Sequence, residues 1–181
     1  MSKKSLQEIS HPLAYFFPVY LPEGDGTVMA DSKGNEYTDP RNVRSIRKVL
    51  CRQFALDYPA LRKRFRDQGG GGLTPLMLAP DYLLVPVKTR AARCAGDPCY
   101  GFFHAGMVDS VEKMDGHQAR SRIIMKNGLV LQVLSGMKTV KNMMLLSRSL
   151  ENIILPLQTK NQSVTELLIR YLAILEKENQ G

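Results

Sequence analysis

Between residues 41 and 66 the chain carries nine basic side chains and one acidic side chain, in a segment that also has the periodicity of a helix. Val43, Ile46, Leu50 and Phe54 recur at the spacing of one face of an α-helix. The positive charge is therefore expected on the opposite face. Cations crowded in this way repel one another unless a counter-charge lies against them. The segment is thus expected to bury one side in a core and to turn the other toward an anionic partner.

The limits of this helical segment can also be predicted. Asp39 and Pro40 suggest a capping carboxylate followed by a proline in the first helical position. Pro59 is expected to interrupt the helix, which makes residues 55–59 a bend. Leu61–Arg66 then predicts a second basic turn, and the glycine tract 69–72 ends it as a flexible joint.

Short apolar runs after the glycine tract predict strands. Leu76–Leu78 and Tyr82–Val87 are punctuated by prolines, which favours edge strands or strand ends. Asn127-Gly128, between the runs Arg120–Lys126 and Leu129–Leu134, is the strongest signal for a hairpin in the sequence. Because polar and apolar residues alternate imperfectly there, we expect the hairpin to be buried on both faces.

Two further helices are predicted toward the carboxyl end. Met137, Val140 and Met144 have helical spacing after Ser135, and a final amphipathic helix is expected at about residues 164–178. The sequence therefore predicts one α+β domain over residues 1–181. In this fold class a basic helical segment packs on a small, mainly antiparallel sheet, and a C-terminal helix closes the domain.

The net charge of +8 indicates a polyanionic partner, because it is concentrated in residues 41–66 and 114–148 instead of being spread along the chain. The hydrophobic fraction of 44% excludes wholesale disorder. We expect no signal peptide, since Glu8 and Pro18 break the pattern of one, and no apolar run has the ~18 residues that a spanning helix needs. Three cysteines are too few for a disulfide framework, which favours the cytoplasm.

Catalytic signatures are absent from the sequence, so we expect neither an enzyme nor a cofactor. No phosphate-binding loop, dinucleotide fingerprint, nucleophile elbow or paired-histidine metalloprotease motif is present. Cys94, Cys99 and His104 could ligate zinc, but a closed structural site needs a fourth ligand, and none has a supporting spacing. The sequence therefore predicts no bound metal, and a small zinc enzyme stays only as an alternative.

Several spaced motifs resemble the ComK-type competence transcription factors of low-GC Gram-positive bacteria. The resemblance covers about residues 40–150 and describes a divergent member, since two of the spacings differ from the family pattern. Its pieces, in order, are Cys51-Arg52-x-Phe54-x3-Tyr58 with Arg62-Lys63, Pro75-x4-Pro80 with Pro86, Cys99-x4-His104, and Asn127-Gly128 with Ser135.

The resemblance implies a cytoplasmic activator that binds AT-rich promoter boxes on double-stranded DNA, largely through the minor groove. It also implies assembly as a dimer or tetramer, contact with RNA polymerase and turnover through a protease adaptor. We expect no membrane association, because the basic segment has no large insertion residue such as Trp that could enter lipid. Arginine suits a narrow minor groove, where the negative potential is concentrated. The candidate DNA-binding residues are Arg41, Arg44, Lys48, Arg52, Arg62, Lys63, Arg64, Arg66, Lys138 and Lys141.

Two other interpretations stay open at this point. Residues from His104 through the hairpin to Ser135 also look like the carboxyl half of a LytTR-type DNA-binding domain. The basic segment could instead dock an acidic protein, without any contact to DNA. Aromatic stacking platforms are not evident, which disfavours a reader of RNA or single strands.

Overall fold

A computed structural model describes residues 2–3, 6, 9, 11–115 and 119–152. It confirms the α+β class, with ten strands and three α-helices in the described part of the chain. The final helix predicted at residues 164–178 lies outside the described residues. The strands are β1 (Ser2–Lys3), β2 (Leu13–Leu21), β3 (Gly24–Asp31), β4 (Glu36–Asp39), β5 (Leu76–Ala79), β6 (Tyr82–Lys88), β7 (Tyr100–His104), β8 (Val108–Lys113), β9 (Ser121–Met125) and β10 (Val130–Val133). The helices are α1 (Val43–Gln53), α2 (Tyr58–Asp67) and α3, which is described over residues 137–152.

The larger sheet has seven strands in the order β1-β4-β3-β2-β7-β6-β5, and the smaller has three in the order β10-β9-β8. All neighbouring strands are antiparallel except β1 and β4. Both faces of the larger sheet are covered, so its central strands are continuously apolar. In β2, for example, Phe16 and Phe17 point to opposite faces, and both are buried.

Each face of the larger sheet contributes to its own core. The front core contains Phe16 and Phe102 and is covered by α1 through Val43, Ile46 and Leu50. The back core is built on the other face, where the smaller sheet and α3 lie. Its members include Phe17, Val85, Phe103, Ile123, Val133, Val140 and Leu150.

The start of α1 differs from the prediction. Asn42 caps the helix, and its side-chain oxygen accepts a hydrogen bond from the Ser45 N–H at 3.0 Å. Asp39 is instead the last residue of β4. Its carboxylate accepts hydrogen bonds from the backbone N–H and the guanidinium of Arg41, so it is not free to cap the helix. The prediction that Asp39 caps the helix with Pro40 in its first turn was therefore wrong.

Pro59 begins a helix instead of only interrupting one. Asp57 caps α2 by accepting the Ala60 N–H at 3.0 Å, and Pro59 follows in the first turn, where a missing N–H costs nothing. The predicted bend 55–59 is thus a short connection that ends at Asp57, because Tyr58 and Pro59 already belong to α2. The predicted basic turn 61–66 is part of this helix of ten residues. Leu61 and Phe65 of this helix belong to the back core. The connection between the two helices therefore passes around the β5 edge of the sheet.

The prolines near β5 and β6 lie where a sheet can accept them, since Pro75 and Pro80 flank β5 and, of the three, only Pro86 lies within a strand. β5 is an edge strand, as predicted, whereas β6 lies between β5 and β7. Pairing with β5 ends at Leu84, so Pro86 lies in a part of β6 that is locally an edge.

The hairpin at Asn127-Gly128 is confirmed as β9 and β10, but its predicted burial on both faces was wrong. Exposed and buried residues alternate in β10, and Val130 is 53% exposed while Leu131 is buried. The smaller sheet covers the back core with one face only. In a sheet that covers a core with one face, exposed and buried positions alternate in this way along each strand.

Candidate nucleic-acid interface

Three cations form a row along the outer face of α1. Arg44, Lys48 and Arg52 are exposed and lie four residues apart, opposite the side that packs on the front core. At 1.5 Å per residue the row spans about 12 Å of the helix. Each DNA strand carries one phosphate per ~3.4 Å of duplex axis, so such a row matches the length of about three to four phosphates.

Two neighbouring contacts hold α1 and its arginines in place. The Arg44 guanidinium donates a hydrogen bond to the Gly96 carbonyl at 2.8 Å, which ties the start of the row to the loop before β7. Arg47 lies over the Tyr58 ring at 4.6 Å and also donates to its hydroxyl at 3.3 Å. Arg47 therefore links α1 to α2 and does not extend the exposed row.

The second helix adds four more exposed cations. Its apolar residues Leu61 and Phe65 are buried, so the remaining faces carry Arg62, Lys63, Arg64 and Arg66. Arg64 and Arg66 lie in the last turn, where the helix dipole favours positive charge. Because α2 packs on the back core beside Met77 and Leu78 of β5, its cations lie around the β5 edge from the row on α1 and not on the same face.

We call these seven residues the basic band: Arg44, Lys48, Arg52, Arg62, Lys63, Arg64 and Arg66. None of them is in an ion pair with another described residue, since the ion pairs of that part of the chain use Arg41, Arg90, Lys113 and Arg122. Seven exposed charges of one sign create a positive potential that attracts an anionic partner.

The other three predicted site residues lie elsewhere. Arg41 binds the buried carboxylate of Asp39 with its Nε at 2.9 Å and its Nη2 at 2.6 Å. Lys138 and Lys141 are exposed on α3, which packs on the back core through Val140. The larger sheet thus separates these two lysines from the row on α1.

The zinc alternative finds no supporting geometry in the described part of the chain, where no group of three His, Cys, Asp or Glu side chains could hold a metal ion. The Cys94 thiol donates to the Asp97 carboxylate at 3.0 Å, and the Cys99 thiol donates to the Asp97 carbonyl at 3.5 Å. His104 contacts the carbonyl of Asp81 at 2.7 Å.

Asp97 organises the loop between β6 and β7, and sequence reasoning missed this role. Its carboxylate accepts hydrogen bonds from the Tyr20 hydroxyl at 2.5 Å and from the Arg93 N–H at 2.8 Å, besides the Cys94 thiol. These donors hold the pKa of Asp97 well below its usual range, and the hydrogen bond to Asp97 raises the pKa of Cys94. The loop that anchors Arg44 is therefore ordered by polar contacts.

Comparisons with protein-family models, with curated proteins and with solved structures found no match to this chain. Among the described residues, no helix is both long and apolar enough to cross a membrane. The charge, exposure and spacing of the basic band are therefore the observations that support a function.

Proposed function

We propose that this protein is a sequence-specific, double-stranded DNA-binding transcriptional regulator that acts in the cytoplasm and contacts DNA with the basic band. The observation that carries the proposal is the set of seven exposed cations without an ion pair in the described part of the chain. Phosphate contacts by such residues supply most of the affinity of proteins for duplex DNA. The resemblance to ComK-type competence factors supports the same function.

The geometry of α1 favours contact with the DNA backbone. A helix with its side chains is about 10–12 Å wide, whereas the minor groove is only about 6 Å wide. The helix itself therefore cannot enter that groove, and only its side chains can reach into it. We propose that the row on α1 binds phosphates and that Arg52, at the end of the helix, reaches into the minor groove of AT-rich boxes.

The proposal is tested by removing the row of charges from α1. Replacing Arg44, Lys48 and Arg52 together by Ala should reduce duplex affinity strongly. It should also make the salt dependence of log affinity shallower by about two units, because Arg44 and Lys48 each give up a phosphate contact worth about 0.9, while Arg52 gives up a contact in the minor groove. Gel shifts with an A-tract duplex over a series of salt concentrations measure both quantities, and circular dichroism checks the fold.

The matched control uses the two lysines on the opposite side of the sheet. A straight duplex that lies along α1 cannot contact α3, so Lys138→Ala with Lys141→Ala should leave the salt dependence unchanged. Equal losses in the two variants would contradict a site centred on α1. If the unmodified protein bound A-tract and GC-rich duplexes equally well, the proposed readout of AT-rich DNA would be wrong.

A further inference from the structure

A cavity of about 670 Å³ opens where the end of α1 meets the turn between β5 and β6. The described residues that line it include Phe54, Pro80, Tyr82 and His104, together with Leu6, Ile9, His11 and Pro12. Binding sites for small molecules commonly have volumes of about 300–1,000 Å³ and mostly apolar walls. This cavity has both properties, and it lies outside the row of cations on α1.

One wall of the cavity consists of aromatic rings that are held in place. Phe54 meets the ring of Tyr82 edge to face at 5.6 Å, and Tyr82 meets His104 in the same way at 5.1 Å. The Tyr82 hydroxyl accepts a hydrogen bond from the Leu13 N–H at 2.8 Å, which fixes its ring against the front core. Phe54 is 39% exposed, so part of its ring remains free for a ligand.

The charge of the lining is opposite to that of the chain as a whole. Although the chain has a net charge of +8, no Lys or Arg is among the described residues that line this cavity. Asp81 is the acidic residue of the lining, and its exposed carboxylate has no ion pair or hydrogen bond to another described residue. Burial lowers the pKa of His104, so this imidazole is mostly neutral at neutral pH and does not compensate the carboxylate.

We propose that this cavity is a binding site for small aromatic cations. Aromatic faces attract organic cations through the ring quadrupole, and the carboxylate of Asp81 adds a second favourable interaction. A flat ligand would stack on Phe54 and place its positive charge near Asp81. An anionic ligand would meet the carboxylate without any cation of the described lining to offset it.

The probe is rhodamine 6G, an aromatic cation, and its fluorescence polarisation is measured on the full chain without DNA. We expect saturable binding. Asp81→Asn should weaken this binding about three- to tenfold because the charge is lost, and Phe54→Ala about two- to thirtyfold because the ring is lost. Asp81 has a φ of 62°, and asparagine tolerates this left-handed conformation well, so Asp81→Asn should keep the fold.

The controls remove a carboxylate and an apolar side chain on other surfaces. Asp109→Asn removes an exposed carboxylate on β8, and Leu145→Ala removes an exposed apolar side chain on α3. Both should bind rhodamine 6G like the unmodified protein. Three results would overturn the proposal: no saturable binding, equal losses for Asp81→Asn and Asp109→Asn, or tighter binding of the aromatic anion anilinonaphthalene sulfonate. If Phe54→Ala fails to fold, the comparison of Asp81→Asn with Asp109→Asn still tests the proposal.

Discussion

The carboxylate of Asp39 lies almost fully buried at the end of β4, where a free charge would be costly. Burial by itself would raise the pKa of Asp39, but the hydrogen bonds and charge of Arg41 outweigh this effect and lower it. The pair also fixes the chain between β4 and α1. Arg41 therefore has a structural role that the count of basic residues did not reveal.

The lowered pKa of Asp39 predicts how stability depends on pH. Ionised Asp39 stabilises the folded state above the ordinary carboxyl pKa of about 4, and this contribution is lost as the pH falls through the lower pKa of the folded state. Arg41→Ala should lower the free energy of unfolding at pH 7 by about 1–3 kcal/mol, less than for a fully buried pair because the guanidinium is partly exposed. Urea unfolding of both proteins at several pH values measures this difference in the free energy of unfolding.

The control for this prediction is Arg120→Ala, which removes an exposed arginine just before β9 of the smaller sheet. It should leave the free energy of unfolding within about 0.5 kcal/mol of the unmodified protein at neutral pH. If Arg41→Ala were no more destabilising than Arg120→Ala, the structural role of the Arg41 pair would be refuted.

At the scale of elements, the glycine tract ends α2. The N–H groups of Gly69 and Gly70 donate to the carbonyls of Arg66 and Phe65, each at 2.9 Å, and Gly69 has a φ of 79°. Gly70 is buried against Phe65, and an added Cβ would lie 2.5 Å from both the ring and the carbonyl oxygen of that residue. The sequence predicted only a flexible joint here, because four glycines in a row do not show which of them packs against the end of the helix.

Gly70 and its neighbour Gly71 therefore differ sharply in their tolerance of a side chain. Gly70→Ala should lower the free energy of unfolding by about 1–3 kcal/mol, since Phe65 has to move away. A Cβ at Gly71 would meet nothing within 4 Å, so Gly71→Ala should be neutral or slightly stabilising. Thermal or urea unfolding of both variants measures the difference. Equal stabilities would show that the contact with Phe65 does not constrain the backbone.

The helix α1 and the hairpin could be predicted from the sequence, but five of the seven strands of the larger sheet could not. The periodicity of Val43, Ile46 and Leu50 identified α1, and Asn127-Gly128 identified the turn between β9 and β10. In β2 both faces are buried, so the strand has no alternation that would distinguish it from any other apolar run. Pro22-Glu23, between β2 and β3, was the available turn signal.

At the scale of the whole molecule, the larger sheet determines which cations lie on the same side of the protein and can contact one partner. The sequence predicted the exposed charges of the basic band, because a charged helix face opposite an apolar one is a local property. It could not predict that Lys138 and Lys141 lie beyond the sheet, since this depends on the packing of α3 on the back core. The aromatic cavity was missed for the same reason, because Phe54, Tyr82 and His104 come from three separate elements.

The central proposal is that the basic band binds the phosphates of duplex DNA, and the salt dependence of binding tests it most directly. For five to eight phosphate contacts, log affinity plotted against log salt concentration should fall with a slope of about −5 to −7, because each contact contributes about −0.9. The measurement uses the unmodified protein and an A-tract duplex. A slope near zero, or no complex at low salt, would contradict the account and favour an acidic protein as the partner.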